Sequence, residues 1–303
     1  MTGMDPWISA FERMSARHWQ ATEQARLGGW LLRAAGGFTG RANSALPLGE
    51  PGMPAERAVD EVEAWYRHRG LKPMIVIATG PSADGDALDH LLARRGWPRR
   101  EAPALVMTAS TDVVAGRRPP GALSRADPPR AAAEPTAAPA RTAEPTADSA
   151  PPRDTPLLRD IASSGAVPPP RADELAFAAE PDEGWLAAYR YRGQRLPEHA
   201  LPVLLSAPAQ VFASVRRDGC TIAIGRLSLA DGWGGLTAIE VDPACRRAGL
   251  GTAVTAALAA QAMDAGAERI FLQVVEDNTA ARTLYARCGF ADRHRYHYRV
   301  APR

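Results

Sequence analysis

The sequence predicts an α/β fold of the α+β kind, with helices laid on a mixed sheet and the chain organised as two halves. Three observations predict it. From Val211 to Val300 the pattern runs strand, strand, strand, helix, strand, helix, strand. The second part of that order recurs between residues 29 and 110, as an internal repeat would. A tract at 116–170, poor in core-forming residues, separates the two.

In the first half, "GWLLRAAGG" (29–37) and "ANSALPLG" (42–49) are predicted strands, and "PAERAVDEVEAWYRHRG" (54–70) is a helix stopped at Gly70. "LKPMIVIATG" (71–80) follows as a strand, "DALDHLLARRGW" (86–97) as a helix and "APALVMTAS" (102–110) as a strand. The intervening tract holds 13 of the 27 prolines and "EPTA" twice, so it is expected to be a disordered, extended tether. Within it, Leu157–Ile161 is a short apolar patch able to dock. The expected units are therefore residues 1–115, a linker at 116–170, and 171–303.

In the last unit "VFASVRRDG" (211–219) and "CTIAIGRLSLADG" (220–232) form a hairpin at Asp218-Gly219, a dipeptide that tolerates positive φ. "GLTAIEVDP" (235–243) is the next strand. The Ala-rich "GTAVTAALAAQAMDAG" (251–266) is a helix closed at Gly266. "ERIFLQVVE" (268–276) is a strand, "NTAARTLYARCGF" (278–290) a helix capped by Asn278 and stopped at Gly289, and "RHRYHYRV" (293–300) a final alternating strand.

Composition narrows the function classes. The chain has 303 residues with a net charge of +2, which gives no electrostatic case for a nucleic-acid or membrane partner. Lys72 is the sole lysine, and no cluster of basic residues alternates with aromatics. Asp5, Trp7 and Glu12 do not read as a targeting leader, and no apolar run approaches membrane-spanning length, so a cytoplasmic location is expected. Three widely spaced cysteines, Cys220, Cys245 and Cys288, suit neither a disulfide framework nor a zinc site. Cys245 beside the arginines is either a thiol of lowered pKa or an incidental small residue. His294 and His297 fall on opposite faces of a strand, and no metal is expected.

The most informative stretch is Arg246-Arg247-Ala248-Gly249-Leu250-Gly251-Thr252, at a strand-to-helix junction. The first amides of a helix have no partner and, with the helix dipole, favour an anion. Glycine permits close approach of backbone to ligand, and arginine adds charge-assisted contacts to phosphate oxygens. The stretch has no P-loop lysine, and Val254 breaks a dinucleotide GxGxxG pattern. Its expected ligand is a pyrophosphate.

The succession "IEVDPACRRAGLGTAV" and "VVEDNTAARTLYARCGF" resembles the GNAT superfamily of acetyl-CoA-dependent N-acetyltransferases, whose pyrophosphate loop follows Arg/Gln-x-x-Gly-x-Gly/Ala. Arg246, Gly249 and Gly251 fill that pattern, and Asn278, Leu284-Tyr285 and Gly289-Phe290 sit at family spacing. The resemblance covers residues 177–300, and the layout looks like that of an actinobacterial-type protein of two GNAT-like halves. It implies an acetyl-CoA N-acyltransferase fold and transfer of acetyl from acetyl-CoA to a primary amine by direct attack in a ternary complex. It also implies that Ile239 to Val241 offer backbone groups to the cofactor, that Arg246 to Thr252 and Asn278 bind it, and that Tyr285 is the general acid. Glu240 is the candidate base, unless strand alternation turns it from the cleft.

Counting back from Gly70 over Gly266 places Glu50 over Arg246, Met53 over Gly249 and Ala55 over Gly251, and laying "LLARRGW" (91–97) over "LYARCGF" (284–290) places Leu92 over Tyr285. The N-terminal half is thus expected to be a degenerate copy that walls the substrate cleft. Arg41, Asn43 and Ser44 either reach substrate or serve a turn, and Trp233 either shapes the acceptor entrance or covers apolar surface. Tyr285 can also be a packed aromatic and Asn278 a cap alone. The acceptor is open between a small molecule and a protein amine, and the assembly between monomer and homodimer. A non-catalytic acyl-CoA sensor and a scaffold acting through its linker are the rival classes.

Overall fold

A computed structural model of the chain describes residues 5–80, 87–117, 124–125, 173–190 and 193–302. The first half contains α1 (Pro6–His18), β1 (Glu23–Leu27), β2 (Trp30–Ala34), β3 (Leu46–Pro47), α2 (Ala55–Arg67), β4 (Met74–Thr79), α3 (Ala87–Arg94), β5 (Ala104–Ser110) and α4 (Thr111–Ala115). Then come β6 (Ser124–Arg125), β7 (Glu174–Ala178), α5 (Glu183–Ala188), α6 (Ala200–Leu204), β8 (Ala209–Arg217), β9 (Cys220–Ala230) and β10 (Trp233–Val241). A 3-10 turn (Pro243–Cys245), α7 (Leu250–Asp264), β11 (Arg269–Val275), α8 (Thr279–Cys288) and β12 (Ala291–Val300) complete the chain.

Local chemistry explains the C-terminal elements. Asp218-Gly219 and Asp231-Gly232 all take positive φ, at 50°, 79°, 51° and 73°, so both hairpins β8–β9 and β9–β10 close on two-residue turns. Asn278 Oδ1 accepts from the Ala281 amide at the start of α8, and Gly289 at φ 103° ends it. α7 lacks a polar face because it is enclosed: Val254, Leu258 and Ala259 are buried in the core against β9 and β10, and α4 covers it with Val114. Gly225 and Gly234 let α7 sit close, since a Cβ on either would lie 2.7 Å from Val254 or 3.1 Å from Ala262.

The sequence missed α1. Asp5 caps it by accepting from the amides of Trp7 and Ile8, and Pro6 opens it. α1 spans both halves, its Ile8 and Phe11 packing in one cluster with Leu46, Val76 and Val106 of the first half and Phe271 and Tyr296 of the second. Its Phe11 meets Trp233 and Phe271 edge to face, and its Glu12 Oε1 lies 2.6 Å from His294 Nε2.

The two halves share one nine-stranded sheet, in the order β4-β12-β5-β11-β10-β9-β8-β7-β6, beside a three-stranded sheet β1-β2-β3 that reaches β4 through a bridge of Ala45 with Ile75. Their last strands are exchanged. β5 of the first half pairs antiparallel with β11 of the second, while β12 of the second half pairs with both β4 and β5 of the first. The halves are therefore a repeat in sequence but not two closed sheets in space.

One expectation needs correction at its edge. Ser124–Arg125, inside the stretch expected to be a disordered tether, form β6 and pair in parallel with Glu174–Leu175. Residues 126–172, including the patch at Leu157–Ile161, lie outside the described residues. Among the described residues, no helix is long and apolar enough to cross a membrane, and no group of three or more His, Cys, Asp or Glu side chains is placed to hold a metal.

Candidate active site

The site forms where β10 and β11 part. They pair in parallel only from Trp233–Arg269 to Leu236–Leu272. Beyond that point the register of β10 against β9 shifts between Thr237 and Glu240, and Ala238 takes φ 54°. This bulge bends β10 away from β11 and leaves the main chain of Ile239–Val241 without a β11 partner. It also re-aims the side chains. Ile239 and Val241 pack into the α7 core, while Ala238 packs with the cluster of Trp19, Phe38 and Trp185 on the other face. Glu240 falls on that second face too, where its Oε2 accepts from the Arg190 amide at 3.2 Å. It is half-buried, and desolvation raises its carboxyl pKa above the ordinary value. The bulge was invisible in sequence, because nothing about Ala238 signals a left-handed backbone.

At the end of β10 the chain turns through Pro243–Cys245 into α7. Asp242 caps the 3-10 turn by accepting from the Ala244 amide, and Arg246 Nε donates to the Val241 carbonyl at 3.3 Å. Arg247 takes φ 65° and Gly249 φ 80°, and Arg246 to Gly249 are all exposed. α7 then begins at Leu250 with no side-chain cap. Its first intrahelical bond from outside the helix is Ala253 N to Gly249 O, so the amides of Leu250, Gly251 and Thr252 have no acceptor among the described residues. Solvent-accessible loop, left-handed glycine and unpartnered first-turn amides together form a cradle suited to a phosphate or pyrophosphate.

The second glycine has a different reason from the one its motif suggests. Gly251 is buried, and a Cβ there would lie 2.9 Å from Leu284 Cδ1. It permits close packing of α7 on α8. Tyr285 on α8 is half-buried against Phe290, with ring centroids 5.9 Å apart. Its hydroxyl has no protein partner among the described residues, and desolvation pushes its pKa up to about 12, so it holds its proton at neutral pH. Asn278 is exposed and caps α8.

The corresponding loop of the first half is built differently. Between β3 and α2 it contains Pro51 and Pro54, which lack an N–H, and Glu56 occupies the first turn of α2. The Gly29 amide donates to the Glu50 carbonyl at 2.7 Å, and a Cβ on Gly28 would collide with Pro51. The β1–β2 turn thus sits on this loop. Met53 packs against the core of that half instead of standing at an open cradle.

Other expectations divide. Arg41 faces the junction of the halves and donates from Nη1 to Gln273 Oε1 on β11 at 2.9 Å. Asn43 holds a turn, accepting from the amides of Ala35 and Gly37, and Ser44 accepts from the buried Arg33. Trp233 covers apolar surface against Phe11 and Phe271. His294 and His297 part as expected, one to Glu12 of α1 and the other to Asp89 of α3. Cys245 lies 3.8 Å from Arg217 Nη1. Sequence reasoning missed Gln273, Arg100 and Tyr296, which share a cleft of about 680 Å³ with Arg41.

The sequence profile of the family described as "Probable histone acetyltransferase Rv0428c C-terminal" matches residues 7–132 and 129–299. The chain belongs to that family. Its relative YobR of Bacillus subtilis (strain 168), described as an uncharacterized N-acetyltransferase, is 29% identical over 297 residues, covering 97% of this chain and 98% of the relative. A GCN5-related N-acetyltransferase from Kribbella flavida superimposes with a TM-score of 0.56 at 17% identity, covering 100% of this chain and 97% of that one. A tandem GNAT protein from the clavulanic acid biosynthesis pathway gives 0.53 at 13% identity, over 86% of this chain and 76% of the other. This family member is a GNAT-type N-acetyltransferase made of two GNAT-like halves. In this GNAT chain the open cradle is on the second half, and the first half's equivalent loop is covered.

Proposed function

We propose that the C-terminal half binds acetyl-CoA and that the enzyme transfers the acetyl group to a primary amine by direct attack in a ternary complex. The observation that carries this reading is the set of unpartnered amides at Leu250, Gly251 and Thr252 behind the exposed, left-handed Gly249, beside the parting of β10 from β11. Bound there, acetyl-CoA supplies an activated acetyl thioester.

The chain's own groups divide the remaining work. Arg246, Arg247 and the amides from Ala248 to Thr252 hold the diphosphate. The main chain of Ile239–Val241, paired with β9 on one side and without a β11 partner on the other, offers hydrogen bonds on that open side to an extended amide-containing arm, as a strand edge does to a peptide. Asn278 keeps its amide group free to donate while its Oδ1 caps α8. Tyr285 is the proton donor to the departing sulfur, and its raised pKa keeps that proton available. Glu240, with a raised pKa and on the face away from α7, takes the amine's proton directly or through water. The first half does not hold a second acetyl-CoA, because Pro51, Pro54, Glu50 and Glu56 replace donors with acceptors or with nothing.

The test is calorimetry of the full chain with CoA, followed by thiol release from acetyl-CoA across a panel of amines. CoA binding with amine-dependent thiol release is expected. Failure to bind CoA overturns the reading, and binding without release from any amine reduces the protein to an acyl-CoA sensor.

A further inference from the structure

Four guanidinium groups gather where the halves meet. Arg41 and Arg226 lie over the Trp19 ring at 4.7 and 5.2 Å, Arg33 lines a small cavity with Arg41, and Arg100 lines the 680 Å³ cleft with Arg41. None of the four has a carboxylate within ion-pair distance among the described residues. Arg33 and Arg226 are buried and spend their donors internally, on Ser44 and on the carbonyls of Leu204 and His18. Arg41 and Arg100 are only partly covered. Arg41 uses one nitrogen on Gln273, and Arg100 reaches only Met74 Sδ at 3.8 Å and the Tyr298 ring at 5.8 Å.

Gln273 is pinned by the same arrangement. Its Oε1 accepts from both Arg41 and Tyr296, at 2.9 and 3.1 Å, which fixes the amide so that Nε2 remains to donate. The cleft thus presents donors from Arg41, Arg100 and Gln273. One acid, Glu101, lies on its lining and is exposed, while Glu12 nearby is engaged by His294 and Ser15. Partly buried cations with no carboxylate at ion-pair distance among the described residues call for an anion. The volume lies within the ~300–1,000 Å³ usual for small-molecule sites. Gln273 and Val275 point to the face of the sheet that carries Ala238 and Glu240, away from α7.

We propose that the acetyl acceptor is a free amino acid, its carboxylate held by Arg41, Arg100 and Gln273 in the cleft between the halves. This rests on the acetyl-transfer reading above. The acceptor's amine forms the new N–C bond as the thioester C–S bond breaks, the amine loses one proton and the sulfur gains one. A lysine-rich protein tail is disfavoured by the same four arginines.

The experiment uses the full chain with acetyl-CoA and compares each L-amino acid with its α-carboxamide, alongside a lysine-rich peptide with an amidated C-terminus, by thiol release. For the best acceptor the carboxylate form is expected to exceed its carboxamide in kcat/KM by about 30-fold or more, as lost charge-assisted bonds predict. R100Q and R41Q should each narrow that ratio to a few-fold by lowering kcat/KM on the carboxylate form much more than on the carboxamide, while leaving the affinity for CoA unchanged. R41K should recover part of it. Equal rates on the paired acceptors, a peptide that outperforms every amino acid, or arginine variants that lose rate equally on both forms would overturn the proposal alone. CoA binding with no thiol release from any acceptor overturns the acetyl-transfer reading with it.

Discussion

Arg41 Nη1 donates to Gln273 Oε1 across the boundary between the two halves, at 2.9 Å. Arg41 precedes β3 in the first half, and Gln273 lies on β11, one of the two strands whose separation opens the candidate site in the second. A half whose own loop is covered therefore still reaches β11 beside the candidate site. The junction is continuous with α1, whose His18 Nδ1 lies 2.9 Å from the Ser228 hydroxyl on β9.

Replacing Tyr285 by phenylalanine should lower kcat by about 10²-fold, the usual scale for loss of a general acid. Affinity for acetyl-CoA should change little, since the hydroxyl has no protein partner to disturb. Steady-state thiol release together with calorimetry checks both. Weakened CoA binding at an unchanged kcat would make Tyr285 a binding residue.

Arg246→Glu should weaken CoA binding by about tenfold or more, the scale of one charged hydrogen bond exchanged for a repulsion. Glu50→Gln, at the aligned position of the first half, should leave it unchanged. Calorimetric dissociation constants for the two variants decide this; equal losses would place CoA contacts in both halves.

Burial, and after it the positive charge of Arg226, lowers the His18 pKa from 6.5 to about 4. The unfolded chain takes up this proton below pH 6.5 and the folded chain does not until about pH 4. The stability contributed is therefore complete above the first value and is lost as pH falls toward the second, amounting to about 3 kcal/mol. Urea melts of the wild type should show this decline, and those of His18→Asn a shallower one. Parallel pH profiles for the two proteins would contradict the assignment.

Gly235→Ala should cost about 1–3 kcal/mol, because the added methyl meets a filled site. It would lie 2.7 Å from Ser228 Oγ, 2.9 Å from His18 Nδ1 and 2.9 Å from Phe271 Cζ, atoms on β9, α1 and β11. Chemical denaturation measures it. A neutral outcome would mean that α1 is docked more loosely than these distances require.

The order of the C-terminal elements was legible because its signals are local. Two-residue Asp-Gly turns, an Asn cap, glycine stops and alternating strands each depend on neighbouring residues alone. The geometry of the turn into α7 was legible for the same reason, since it rests on a left-handed glycine and the first amides of a helix. α1 has an Asp-Pro start but ends at Trp19 with no glycine stop to mark it, and α5 and α6, at 6 and 5 residues, are too short to show a period. The bulge at Ala238 and the gathering of Arg41 with Arg100 depend on long-range packing. So does the partner of each last strand: β5 and β12 both read as strands, and nothing in either says which half it joins.

That exchange of β5 and β12 dictates an order of events during synthesis. β4 and β5 leave the ribosome early, yet their ladder neighbours β11 and β12 are among the last segments made. The first half must wait, unclosed, for the second. A chain halted before residue 291 keeps bare strand edges at Met74–Thr79 and Ala104–Ser110, an open template for pairing with another truncated copy.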